Sequence, residues 1–178
     1  MTKSAASRKG FAAKLTVARG SAHARLIDRL EANGAELLWY VSLLSNEEIH
    51  APPKPRAWSI HQTLCHLRDV EQQVFLYRAE RILKEDAPRV PDFDQDKWMR
   101  QHYSPREPIK NILNDFKTAR RKFVTRLRRA TDRDWARSAI HPEYGNISLE
   151  WLVTHCYNHT LEHTAQLGYA YEKRLLKR

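Results

Sequence analysis

The chain has 178 residues, 42% hydrophobic and 29% charged, with a formal net charge of +10, which fits one domain able to bury a core without staples. No apolar run approaches the roughly 18 residues of a membrane span, and the acid-free N-terminus lacks the roughly 7–15-residue apolar stretch of a secretory signal, so neither insertion nor export is expected. The two cysteines, Cys65 and Cys156, have neither CxxC spacing nor a framework count, which excludes a disulfide scaffold and suits small buried thiols in a reducing cytoplasm.

Only 5 glycines are present, and long segments repeat apolar residues at the helical period with almost no strand alternation, so the class is all-α. Residues 1–20 are basic and read as a flexible tail; the same Ser/Ala-rich, acid-free composition also suits an organellar transit peptide. Residues 21–178 read as a single domain. A first helix is predicted over 22–45, with Leu26, Ile27, Leu30, Leu37, Leu38, Val41 and Leu44 as its stripe, and the prolines of APPKPRA (51–57) end it. A second helix is predicted over 59–84, opened by a Ser59/Gln62 capping box with Trp58 stapling the entry. The connection 85–106 carries one short helix within DFDQDKWMRQHY.

A third helix is predicted over 107–130, with Pro108 near its start and Ile109, Ile112, Leu113, Phe116, Phe123, Val124 and Leu127 as its stripe. A second connection, TDRDWARSAIHPEYGN, ends in a Gly-Asn turn. The fourth helix is predicted over 148–176, capped by Ser148. Four amphipathic helices read as a four-helix bundle, and the long connections between helices 2 and 3 and between 3 and 4 imply at least one crossover. Basic residues concentrate at Arg120–Arg129, which raises nucleic acid or an acidic protein as partners, although no nucleic-acid-binding signature accompanies them.

The last helix carries the chemistry. His155, His159 and His163 are spaced four apart, so one face presents three imidazoles. At about 100° per residue, His159 and His163 fall within the apolar stripe, and His155 lies at its margin. Buried neutral imidazoles need hydrogen-bond partners, yet the neighbours at those angles are Leu, Ala and Cys. An i, i+4 histidine pair also presents two nitrogens to one divalent ion. In the second helix His66 is the candidate third ligand, while His61 falls on the polar side. A structural role for the stripe, and metal-free proton transfer, remain open on spacing alone. The segment HTLEH is not the HExxH of a zinc protease. Glu71 and Arg78 share one arc of the second helix and read as a buried pair that supports the site or binds an anion, or as side chains that reach solvent at a bundle edge. Cys156 lies near the pair in angle, as a packing residue, a fourth ligand or a redox-sensitive thiol. The tryptophans read as core and helix-entry aromatics.

At WSIHQTLCHLRDVE (58–71) and HTLEHTAQL (159–167) the sequence resembles the DinB/YfiT-like family of metal-binding four-helix bundles. The first block is similar to that family's W-S-x-x-x-x-x-x-H-L-x-D-x-E segment and the second to its H-x-x-x-H-x-x-Q-L run, and the resemblance covers roughly residues 20–176. It implies a DinB-like fold with a three-histidine site: His66, His159 and His163 holding one divalent metal ion, nickel or zinc foremost and iron as an alternative. Gln166 would support a ligand, with Ala165 in place of the family's usual glycine; apart from the resemblance, His155 reads as a residue that hydrogen-bonds a substrate or replaces a ligand. It further implies a homodimer and a thiol-dependent S-transferase or isomerase, in which a low-molecular-weight thiol attacks a small electrophile. A non-catalytic metal-binding stress protein and a basic binding module are the alternatives.

Overall fold

The computed structural model describes the backbone of residues 5–176. The side chains of 5–21 and 174 lie outside what it describes, as do residues 1–4 of the basic tail expected at 1–20; from Ala5 the backbone of that segment is part of the first helix, which starts before the expected 22. In chain order the elements are α1 (Ala5–Ser42), α2 (Asn46–His50), α3 (Ile60–Val70), a π-helical segment (Glu71–Leu76), α4 (Tyr77–Lys84), α5 (Gln95–His102), α6 (Ile109–Leu127), α7 (Asp132–Trp135), β1 (Ser138–His141), β2 (Gly145–Ser148) and α8 (Leu149–Leu175).

α3, the π segment and α4 form one continuous rod, the second of four long helices. Local chemistry explains its start: Ser59 accepts from Gln62 N, and the Gln62 side chain accepts from Ser59 N, satisfying two otherwise orphaned donors. The third and fourth long helices, α6 and α8, lie where the apolar periodicity places them. Three departures come from local signals. The first helix stops at Ser42, and a second capping box, Ser45 with Glu48, starts the short α2. The second connection contains a two-stranded antiparallel hairpin pairing Ser138 with Ser148 through to His141 with Gly145. Gly145 (φ 68°) takes the left-handed conformation that closes this tight turn. Strands of four residues are too short to show a period.

Contacts define the topology. His23 lies beside Glu150, Asn33 Nδ2 donates to Tyr157 O and Tyr40 lies against Gly168, so α1 and α8 run parallel. His66 meets His163 while Phe75 meets His155, so the second rod runs antiparallel to α8. Arg120 meets Leu30, and Arg128 meets Asp28, so α6 is antiparallel to α1. Arg68 pairs with Glu107, and Arg126 with Glu80, so α6 is parallel to the second rod. The bundle is thus up-down-down-up. Two consecutive parallel helices need a connection that travels the length of the bundle, which is the role of 85–108. It is fastened near its start where Val90 N donates to Ile140 O (3.0 Å) and Ile140 N to Pro88 O (2.9 Å).

The apolar core divides around a polar knot. One cluster centres on Leu30, Phe75, Ile82, Phe123, Ile147 and Leu152, the other on Leu37, Leu64, Ile112, Phe116 and Leu167. Arg120 is 5% exposed, not part of the basic surface that the sequence suggested. Its Nε and Nη2 donate to the two Glu71 oxygens (2.6 and 2.9 Å), Nη1 to Leu30 O (2.6 Å) and Asn33 Oδ1 (3.0 Å), and Nη2 also to Thr160 Oγ1 (2.9 Å). Burial opposes its charge, but Glu71 outweighs that and holds the guanidinium above its ordinary pKa. Removing one partner of such a pair strands the other. Arg120→Ala is expected to cost about 3–5 kcal/mol in urea unfolding. The double variant Glu71→Leu/Arg120→Met should recover part of that loss; an equal or larger loss in the double variant would refute the pairing account.

Candidate metal centre

The three candidate ligands converge from two helices. His66 on α3 and His159 and His163 on α8 each offer a nitrogen, and these atoms all lie within 4.8 Å of one another. Their rings meet edge-on, at 5.2 Å for His66–His159, 5.4 Å for His66–His163 and 4.7 Å for His159–His163. His66 is buried, and the other two are half-buried, so the cluster closes toward the core and opens outward.

The nitrogens are arranged in an unusual way for a hydrogen-bonded core. His66 Nε2 and His159 Nε2 face each other at 3.2 Å, and His159 Nδ1 is buried with no hydrogen-bond partner. Two nitrogens bonded at about 2.0–2.1 Å to one tetrahedral ion would sit about 3.3 Å apart. His163 Nδ1 lies 3.0 Å from Gln166 Oε1. The carbonyl oxygen can only accept, so the proton sits on Nδ1 and the Nε2 lone pair is free, the arrangement by which a neighbouring group orients a metal-binding imidazole.

All three imidazoles are neutral at pH 7. Burial lowers the pKa of His66 to about 4, with His163 adding repulsion, and that of His159 to about 3, with His163 and His66 adding to it. Burial also lowers His163, opposed by its bond to Gln166. Three neutral nitrogen donors fit a borderline divalent ion such as zinc, nickel, copper or iron(II). The residues present therefore fit the metal.

The remaining candidates are placed as follows. His155 is exposed on α8 and stacks on Trp151 (4.8 Å, 10° between planes). Glu71 does not pair with Arg78: it is taken by Arg120, while Arg78 Nη2 donates to Pro91 O (2.7 Å). The π segment is the reason. An i→i+5 turn absorbs about one extra residue and sets everything beyond it back by roughly 100°, which separates Arg78 from the arc of Glu71 and turns it toward the side of His66. Cys156 is fully buried and directs its thiol at Glu71 Oε2 (3.6 Å), away from the histidine cluster. Burial, then Glu71, push its pKa up, and burial pushes Cys65 up to about 12, so both thiols are inert at neutral pH. His61, expected on the polar side, is buried, with Nε2 2.9 Å from Glu107 O, because the connection into α6 covers that face. Of the basic cluster, Arg126 faces Glu80, and Arg128 faces Asp28 and Glu31. No helix among the described residues is long and apolar enough to cross a membrane.

Comparison with known proteins agrees with this geometry. The sequence matches the DinB superfamily over residues 29–167. The chain belongs to that superfamily. A Geobacillus thermodenitrificans (strain NG80-2) protein named "Putative metal-dependent hydrolase" is 28% identical over 129 residues, 71% of each chain. YfiT of Bacillus subtilis (strain 168), similarly named, is 23% identical over 147 residues, 80% of this chain and 82% of its own. The solved YfiT structure, described as an unusual four-helix bundle topology, superposes with a TM-score of 0.78 at 22% identity, covering 85% of this chain and 87% of that one. The four-helix bundle protein TT2238 superposes at 0.61 with 17% identity, over 83% and 98%. These likenesses establish the DinB fold.

Two outcomes follow from the buried, proton-poor cluster. A histidine whose pKa is lowered by folding binds a proton more readily when unfolded, so its contribution to stability is present above pH 6.5 and is lost as pH falls toward about 4 and 3 for His66 and His159. Urea midpoints of metal-free protein should therefore decline across that window, and less steeply in His66→Leu. Because the buried Nδ1 of His159 has no partner and such an orphan costs stability, metal-free His159→Leu should unfold at an equal or higher urea concentration than wild type, while losing any stabilisation by added zinc.

Proposed function

We propose that the protein is a metal-dependent enzyme that transfers a low-molecular-weight thiol to a small electrophile, with His66, His159 and His163 holding one divalent ion. The observation that carries this reading is the convergence of three neutral imidazole nitrogens within 4.8 Å on the open side of a bundle core. A divalent ion held there supplies Lewis acidity and lowers the pKa of a thiol or water beside it. The family relatives are named as hydrolases, and activation of water or of a thiol uses the same centre.

The surrounding residues favour the thiol. Hydrolysis gains from a positioned carboxylate base near the attacking water. The two buried carboxylates that follow His66 are engaged, Asp69 by Arg68 and Glu71 with both oxygens by Arg120, and the acid felt by His163 is the exposed Glu162. A thiol needs only to lose its proton: its S–H bond breaks, an S–C bond forms to the electrophile, and the displaced group leaves with the bonding electron pair and takes up the proton, directly or through solvent. The chain's residues hold the imidazoles neutral, orient His163 through Gln166 and shield one side of the centre with Phe75 and Trp58, whose rings lie 5.8 Å from His159 and 5.3 Å from His66. Zinc or nickel as the ion, a homodimer as the assembly and the cytoplasm as the compartment complete the proposal.

The test is elemental analysis of protein purified without a histidine tag, wild type beside His159→Ala, followed by transfer assays with a panel of thiols against a chromogenic electrophile. About one equivalent of divalent metal in wild type, lost in a still-helical variant together with at least a 100-fold fall in transfer, is the expected result. Metal binding accompanied by ester hydrolysis but no transfer would favour water as the nucleophile. Absence of metal after reconstitution would overturn the proposal.

A further inference from the structure

Three arginines are buried among the described residues: Arg68, Arg78 and Arg120. Arg68 is paired with Asp69 and Glu107, and Arg120 with Glu71. Among the described residues Arg78, 6% exposed, has no carboxylate within 4.0 Å. Its one protein hydrogen bond, Nη2 to Pro91 O at 2.7 Å, uses one of five N–H donors. No Arg78 nitrogen is among the sealed atoms lacking a partner, so the unbonded Nε and Nη1 reach the surface. The acid it senses, Asp92, points largely into solvent, with Oδ1 3.9 Å from His141 Nε2. A guanidinium withdrawn this far from water and left without a counter-charge is costly and suited to a planar anion.

Beside Arg78 runs a row of flat rings. Tyr144, 52% exposed, lies 5.4 Å from Trp151, 37% exposed, which stacks on His155 at 4.8 Å. His155 then meets Phe75 at 6.0 Å, and Phe75 meets His159 at 5.8 Å. Pro91, the acceptor of Arg78, adjoins Asp92, which faces His141, and His141 stacks on Tyr144 with ring centroids 4.8 Å apart. The row therefore joins an unpaired buried cation to the three-histidine cluster, and two large aromatic side chains of the row are left facing solvent.

We propose that Arg78 binds the carboxylate of the substrate and that Tyr144, Trp151 and His155 form the platform for its body, which makes the electrophile a small aromatic carboxylic acid that carries the displaced group. The subsite rests on the proposed thiol transfer only for naming this molecule the electrophile; its geometry stands without that chemistry. The carboxylate belongs to the flat substrate and not to the thiol, because the rings favour a planar partner over a flexible peptide-like one.

The test is calorimetric titration of the full chain, metal-free and zinc-loaded, with benzoate, its neutral amide benzamide, acetate and S-methylglutathione. Wild type should bind benzoate at least tenfold more tightly than benzamide or acetate, with or without zinc. Arg78→Gln should weaken benzoate at least tenfold at unchanged helicity, and Arg78→Lys should restore part of the loss. If Arg78→Gln does not fold, Trp151→Ala decides: benzoate should weaken severalfold and acetate should not. Equal binding of benzoate and benzamide, an unaltered benzoate affinity in Arg78→Gln, or a loss confined to S-methylglutathione would overturn the assignment. Metal content and thiol transfer measured on the same samples separate the two ideas. Transfer without Arg78-dependent benzoate binding defeats the subsite alone, and the binding without metal or transfer defeats the proposed reaction alone.

Discussion

The buried Arg120 guanidinium is the joint on which the bundle is registered. From α6 it reaches a backbone carbonyl and Asn33 on α1, both oxygens of Glu71 on the π segment, and Thr160 on α8. Apolar packing is non-directional and tolerates sliding by part of a turn; a planar fork with named acceptors on three other helices does not. Because Thr160 adjoins His159, and Glu71 opens the turn after His66, the same joint fixes how far α8 can slide along the second rod. The facing imidazoles inherit their separation from it. The charge cost of burying this pair is met by near-complete hydrogen bonding.

Topology then decides where the centre can be built. With the second rod and α6 parallel, the connection between them must climb the bundle, and its two fastenings lie at opposite ends. Near the start of the rod, His61 and Arg68 hold Glu107 by its carbonyl and its carboxylate. Near its end, Arg137 donates to the carbonyls of Ile82 and Glu85, covering acceptors that the finished helix leaves unpaired, while the hairpin strand pairs with the ascending chain. The junction of the second rod with α8 carries the histidines, and the hairpin turn sets Tyr144 beside Trp151 at one end of it.

Much of this was legible in the residue order. Apolar spacing located the four long helices because each buries a continuous stripe, and the Ser59/Gln62 box marked a start to the residue. Spacing likewise put His159 and His163 on one face and His155 at its margin, since α8 is regular. The second rod broke the helical-wheel argument: one π turn between Glu71 and Leu76 changes the phase, and nothing in EQQVFL announces it. That single turn parted Glu71 from Arg78, which a straight helix would have set together. Arg120 was hidden differently. It stands in ARRK, among exposed basic residues, and its apolar neighbours in angle, Phe116 and Phe123, were the only signal that it lies inward. The hairpin escaped because it is too short for alternation, although Gly145 marked its turn.

The parallel course of α1 and α8 has an engineering consequence. Side by side, they touch at His23 and Glu150 at one end of their contact and at Tyr40 and Gly168 at the other. The outer ends of the two helices are therefore separated by the bundle's long axis, so a circular permutation joining them would need a strap as long as the domain, whereas head-to-tail duplication would need almost none.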